Sequence, residues 1–121
     1  MEARASARNV PIAPRKARLV ADLVRHQYVE EALNQLMFMH KAASSVIRKL
    51  IQSAAANAQE NAQRQNATIE GGNLFVKKIT VGEGVTRKWF RPRARGMASR
   101  ILRRRCHITV VLDEEREKNG S

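Results

Sequence analysis

Between positions 86 and 107 the sequence reads TRKWFRPRARGMASRILRRRCH, where Arg87, Lys88, Arg91, Arg93, Arg95, Arg100, Arg103, Arg104 and Arg105 have no carboxylate among them. Eight of these nine cations are arginine. A guanidinium presents a planar fork of N–H donors that grips phosphate bidentately and stacks on bases, whereas a lysine offers a point charge. A solvated protein face ordinarily mixes both signs. The stretch therefore points to a polyanion, and its arginine bias to nucleic acid. Trp89 and Phe90 stand side by side here, in a chain with only 4% aromatic residues. Between cations they suit stacking on bases or wedging into a nucleic-acid fold.

A second basic group lies near the start of the chain, at Arg8, Arg15, Lys16 and Arg18. Lys41, Arg48, Lys49, Lys77 and Lys78 are candidates to extend the same footprint. Other chemistries fare badly. The sequence has neither a phosphate-binding glycine loop nor an HExxH pair, and its carboxylates form no acid and base pair. Three scattered histidines (His26, His40, His107) and one cysteine give no metal-ligand spacing. No metal and no cofactor is expected. Cys106 and His107 are neighbours on a predicted strand, which sends their side chains to opposite faces, so Cys106 reads as core rather than as a nucleophile. The expectation is that the protein is not an enzyme.

The elements that must carry these residues follow from periodicity. Residues 3–10 suit a short edge strand ending at Pro11. Pro14 opens a helix over about 14–25, with Leu19, Val20, Leu23 and Val24 as its apolar stripe, and His26-Gln27-Tyr28 as the turn after it. A second helix spans about 29–38, with Glu30 and Glu31 in its first turn and Ala32, Leu33, Leu36 and Met37 facing inward. The third covers about 41–62, where Ala43, Val46, Ile47, Leu50, Ile51, Ala54, Ala58 and Ala62 recur every three or four residues. Gly71-Gly72 breaks that pattern. LFVKKITV at 74–81 then reads as a strand with Phe75, Ile79 and Val81 on one face, and the last strand puts Cys106, Ile108, Val110 and Leu112 on one face.

If these two strands pair antiparallel, residues 83–100 are too many for an ordinary hairpin loop. Either they form a loose loop or the strands continue outward as an arm, on the order of 50 Å long with its rooted part. Pro92 and Gly96 would mark a bend in it. The expected architecture is α+β: three helices packed on a small antiparallel sheet, with a long protruding β-hairpin arm whose outer part is 83–100. Residues 1–121 form a single domain, and 113–121 are a polar tail.

A net charge of +12 attracts nucleic acid first and anionic surfaces second. The N-terminus lacks the apolar core of a signal peptide, and no run is long enough to span a membrane. A cytoplasmic protein is expected, with no membrane partner. A membrane-active cationic module would carry its cations on an amphipathic helix rather than between strands. The remaining rival is an architectural DNA-binding protein with a basic β-arm.

Three stretches carry a resemblance along essentially the whole chain: APRKARLVADLVR at 13–25, HKAASSVIRKLIQSAAANAQEN at 40–61, and KWFRPRARG followed after ten residues by HITVVL. They resemble the family of the twenty-second protein of the bacterial large ribosomal subunit. Its signature is matched by Lys88, Arg93-Ala94, Gly96, His107-Ile108, Val110 and Leu112. Met97 departs from it, standing where the family usually has a basic or small polar residue, and Trp89-Phe90 is bulkier than the usual tip. The resemblance implies a structural constituent of the large subunit that binds ribosomal RNA, aids assembly, and lines the peptide exit tunnel with its hairpin. It implies Arg87, Lys88, Trp89 and Phe90 at the tunnel tip. The implied partners are ribosomal RNA, neighbouring ribosomal proteins and the nascent polypeptide, with no homo-oligomer, in the cytoplasmic ribosome.

Overall fold

The computed structural model describes residues 2–65, 74–84, 87–92 and 98–114; for 87–92 and 98–103 the description is of backbone pairing. The elements run β1 (Ala3–Val10), α1 (Pro14–Val24), α2 (Val29–Met37), α3 (Ala42–Arg64), β2 (Leu74–Glu83), β3 (Arg87–Pro92), β4 (Ala98–Arg103) and β5 (Cys106–Glu114). The fold is α+β, as expected. Three helices accompany an antiparallel sheet of order β1-β5-β2, and β3 pairs with β4 as a separate two-stranded ribbon.

The core is built around β5, the central strand. Cys106, Ile108, Val110 and Leu112 alternate along it and are all buried, as period two requires. Helix α3 packs across β1 and β5 and against α2, while α1 lies against β2. Its buried row is Ala43, Ile47, Leu50, Ile51, Ala54, Ala58 and Ala62, which matches the predicted stripe; Val46 is half-buried at its margin. Ser44, the buried polar residue of this helix, turns its hydroxyl to the carbonyls of Met39 (3.2 Å) and Lys41 (2.5 Å). That contact removes the cost of an unpaired hydroxyl in the core.

Two faces differ from the sequence reading. On α1 the buried set is Ala17, Val20, Ala21 and Val24, and Leu19 and Leu23 are 56% and 41% exposed. The positions i, i+3, i+4 and i+7 from Ala17 form one stripe, and the small alanines let the helix approach β2 closely. On α2, Val29, Ala32 and Leu36 are buried, Leu33 is half-buried, and Met37 is 62% exposed.

Strand β2 also departs. Leu74, Val76 and Ile79 are buried, while Phe75 is only half-buried. The cause is a register shift: Val76 lies opposite Leu112 and Lys78 opposite Val111, which leaves Lys77 as an extra residue. A bulge of this kind reverses the alternation midway. A second irregularity lies between Ala7 and Val10 on β1, where Asn9 adopts a left-handed φ of 55°. Asparagine tolerates that region better than most residues.

Both sheet edges are contacted by neighbouring elements. Along β2, the His26 N–H donates to Val76 O (2.9 Å) and the Val76 N–H to Gln27 O (2.9 Å), while Arg25 Nη2 reaches Ile79 O (3.0 Å). Along β1, Asn57 Nδ2 of α3 donates to Arg4 O (3.2 Å). Val76 O, Ile79 O and Arg4 O are thereby withdrawn from pairing with another strand.

Beyond the sheet, the Gly84 N–H donates to Arg105 O (2.8 Å), and pairing resumes with Arg87 opposite Arg103 and continues to Pro92 opposite Ala98. β3 and β4 are thus a paired ribbon, with Arg87, Lys88, Trp89 and Phe90 along its first strand. Gly71-Gly72, Arg93, Arg95, Gly96 and Met97 lie outside the described residues. β5 runs through Glu114, so Asp113 and Glu114 of the expected tail lie on the strand, and 115–121 lie outside the described residues.

Candidate nucleic-acid interface

The first turn of α1 sorts its basic residues by helical spacing. Arg15 and Arg18, three apart, share one face; Lys16 and Leu19, also three apart, share the next. Each pair lines a different depression. Lys16 and Leu19 join Ile12, Lys41, Ala42 and Ala43 around an apolar groove of about 390 Å³. Arg15 and Arg18 join Ala13, Pro14, Glu83, Gly84, Arg104 and Arg105 around a cleft of about 370 Å³.

This cleft lies where β2 ends and β5 begins, at the root of the ribbon. It brings together four guanidiniums from residues some ninety positions apart, against the single carboxylate of Glu83. Arg18 donates through Nε (3.4 Å) and Nη2 (3.2 Å) to Val81 O, and Arg105 donates through Nη1 to Asn9 O (3.1 Å). Arg105 Nε is buried with no hydrogen-bond partner. The side chains of Arg15 and Arg104 are exposed and make no hydrogen bond or ion pair with another described residue. Two guanidiniums are thus held by backbone carbonyls and two are free.

The helix terminus adds to this field. Ala13 at the N-cap offers no side-chain acceptor, and Pro14 occupies the first turn. Pro14 has no N–H and the Lys16 N–H is taken by Ala13 O (3.0 Å), so the helix end contributes chiefly the positive end of its dipole to the region that Ala13, Pro14 and Arg15 line. An anion here would meet both the arginines and the helix end.

The other expected residues distribute as follows. Arg8 is exposed on the β1 irregularity and does not line the cleft. Arg87, Lys88, Arg91, Arg100 and Arg103 lie on the paired backbone of β3 and β4. Lys77, considered for the footprint, is engaged within the chain by Glu2 and by Asp113 at 3.7 Å; the Glu2 hydrogen bond raises its pKa. Cys106 is a buried free thiol whose pKa is pushed up by burial, with the charge of Arg18 opposing. Its neighbour His107 turns away and accepts the Asn9 N–H at Nδ1 (3.1 Å). Glu83 and Gly84 belong to the cleft without having been singled out in the sequence, where the segment VGEGV carries no recognisable pattern. Among the described residues no cluster of histidine, cysteine and carboxylates could hold a metal, and no helix is long and apolar enough to cross a membrane.

Residues 5–113 match the family described as Ribosomal protein L22p/L17e. The chain belongs to this family. Similar curated proteins agree: the large ribosomal subunit protein uL22 of Lactobacillus delbrueckii subsp. bulgaricus is 52% identical over 112 residues, covering 93% of this chain and 92% of that protein. The uL22 of Lactobacillus gasseri is 50% identical over 115 residues, covering 95% and 94%. That of Leptospira biflexa serovar Patoc is 51% identical over 118 residues, covering 98% of each. Membership makes the chain a structural constituent of the ribosome, and it decides against the enzyme and DNA-binding readings.

Proposed function

We propose that this chain binds large-subunit ribosomal RNA in the cytoplasmic ribosome, aids assembly of the subunit, and lines the nascent-peptide exit tunnel with its basic hairpin. The observation that carries the reading is the ribbon. Its backbone is paired from Arg87 with Arg103 to Pro92 with Ala98, yet the sequence from 86 to 107 contains no carboxylate to neutralise its nine cations. A lone two-stranded ribbon is marginal in water, and repulsion among like charges weakens it further. Phosphates on both sides remove the repulsion and supply the missing contacts.

In this reading Arg87, Lys88, Arg91, Arg93, Arg95, Arg100, Arg103, Arg104 and Arg105 hold the arm in RNA. Arg8, Arg15, Lys16 and Arg18 hold the domain. Arg87, Lys88, Trp89 and Phe90, on the first strand of the ribbon, line the tunnel and meet the nascent polypeptide. Neighbouring ribosomal proteins complete the surroundings.

The test is a tagged copy sedimented from lysate at low and at high salt. With six to ten phosphate contacts, affinity of the free protein for RNA falls on the order of a thousandfold between low and moderately high salt, whereas a copy threaded in the subunit stays through the wash. Replacing Arg93, Arg95, Arg103, Arg104 and Arg105 together by glutamate abolishes incorporation into large-subunit particles. Unchanged incorporation would refute the proposal.

A further inference from the structure

We infer that the cleft between the first turn of α1 and the root of the ribbon is a discrete binding site for one RNA backbone phosphate, and that filling it fixes the ribbon to the domain. The inference rests on the RNA-binding reading above and assigns it a particular place. Three observations carry it. First, Arg15, Arg18, Arg104 and Arg105 line one half-open depression, of about 370 Å³, large enough for a phosphodiester with part of its sugar.

Second, the four arginines divide in a way that suits capture. Arg18 and Arg105 are pre-oriented by Val81 O and Asn9 O, and each retains further N–H donors, since a guanidinium has five. The side chains of Arg15 and Arg104 have no partner among the described residues. A phosphate diester, with two charged oxygens, accepts from pre-oriented and free forks together.

Third, the walls belong to segments that diverge at this point. Arg15 and Arg18 are on α1, Gly84 follows β2, and Arg104 and Arg105 precede β5. The Gly84 N–H to Arg105 O bond is the rung that joins the two strands here. An anion bridging α1 to Arg104 and Arg105 therefore ties the rung to the helix. It holds the base of the ribbon without touching the ribbon itself.

The experiment uses the full chain, isotopically labelled, and follows the backbone amides of Arg15 and Gly84 by NMR. The probes are inorganic phosphate, a short single-stranded oligoribonucleotide, and the same oligomer with neutral methylphosphonate linkages. The oligoribonucleotide shifts both amides saturably and slows hydrogen exchange at Gly84. Inorganic phosphate competes at the same amides, and the neutral oligomer leaves them unmoved. The double variant Arg15→Gln with Arg104→Gln weakens the saturable step about tenfold or more, as expected for lost charge-assisted hydrogen bonds. It also lowers the salt slope by about 0.7 for one single-strand phosphate. Arg4→Gln with Arg64→Gln, at exposed positions outside the cleft and the candidate footprint, removes the same charge elsewhere and changes the step less than about twofold.

Equal weakening by both double variants would show diffuse attraction only and overturn the site, as would a neutral oligomer that shifts the amides as far as the charged one. Failure of the wild-type chain to co-sediment with large subunits would instead strike the ribosomal reading, while leaving phosphate selectivity of the cleft measurable in the same titration.

Discussion

Gly84 and Gly82 lie two residues apart at the end of one strand, and the structure assigns them opposite tolerance for a side chain. A Cβ built on Gly84 meets Arg105 O at 3.1 Å and the Arg105 carbonyl carbon at 3.2 Å, with Arg105 Cβ at 3.4 Å. The same Arg105 oxygen accepts the Gly84 N–H at 2.8 Å, so relief of the contact lengthens that bond. Overpacking against backbone costs about 1–3 kcal/mol, and the reduced freedom of the unfolded chain on Gly→Ala offsets about 0.4–1 kcal/mol. Gly84→Ala should therefore destabilise by about 1–2 kcal/mol, a fall in melting temperature of roughly 5–10 °C for a chain of this size. A Cβ on Gly82 comes no nearer than 4.0 Å, to His107 O, so Gly82→Ala should stay within about 0.5 kcal/mol of the parent. Thermal and urea unfolding of the two variants, without RNA, decides the matter. Equal melting temperatures would refute the claim that the rung at the ribbon's root requires a residue without a side chain.

Further outcomes follow from the core and its titration. Ile51→Ala, at a fully buried site on α3, should cost about 2–5 kcal/mol in urea unfolding. Val20→Ala should cost about 1.5–3 kcal/mol, whereas Leu19→Ala, its half-exposed neighbour, should cost less than about 1 kcal/mol; the reverse order would restore the leucine stripe. Burial raises the Cys106 thiol above its ordinary value of 9.0, so the unfolded chain loses that proton first. Its contribution to stability is complete below the ordinary value and is lost as pH rises through the folded one. Urea midpoints of the parent should then fall more steeply from about pH 8 to about pH 10 than those of Cys106→Ala, and parallel slopes would contradict it.

Legibility in the sequence tracked the size of the signal and the distance over which it acts. Helix α3 was plain because its apolar row repeats through a 23-residue element, long enough for period 3.6 to stand out. β5 was plain because Cys106, Ile108, Val110 and Leu112 hold period two along it, although Val111 is buried as well. β2 was half legible: one extra residue at Lys77 reversed its parity, and nothing local in VKK announces a bulge. On α1, size misled. Leucines outweigh alanines on any hydropathy scale, but the space against β2 admits Ala17 and Ala21 and turns Leu19 outward. The same limit governs the cleft. Each of Arg15, Arg18, Arg104 and Arg105 could be nominated from charge, but their convergence depends on α1 packing beside the junction of β2 and β5. The anchoring of Arg18 on Val81 O and of Arg25 on Ile79 O is likewise a property of an edge strand, invisible until the sheet order is known.

The sheet order β1-β5-β2 also governs when the protein can fold during its own synthesis. Every rung of that sheet involves β5, and β5 comes after all the other strands in the chain. While the ribosome is still translating the arm, β1 and β2 have no partner strand, and the helices have no completed sheet to pack on. Domains usually begin folding from the N-terminal side as they emerge; here the central strand arrives last, so closure waits for it. Contacts between the first and last strands also bring the slow kinetics of high sequence separation. A ribosome making this protein therefore releases a chain whose basic arm is complete before its domain is, and RNA meets the arm at the stage when the sheet is only then closing.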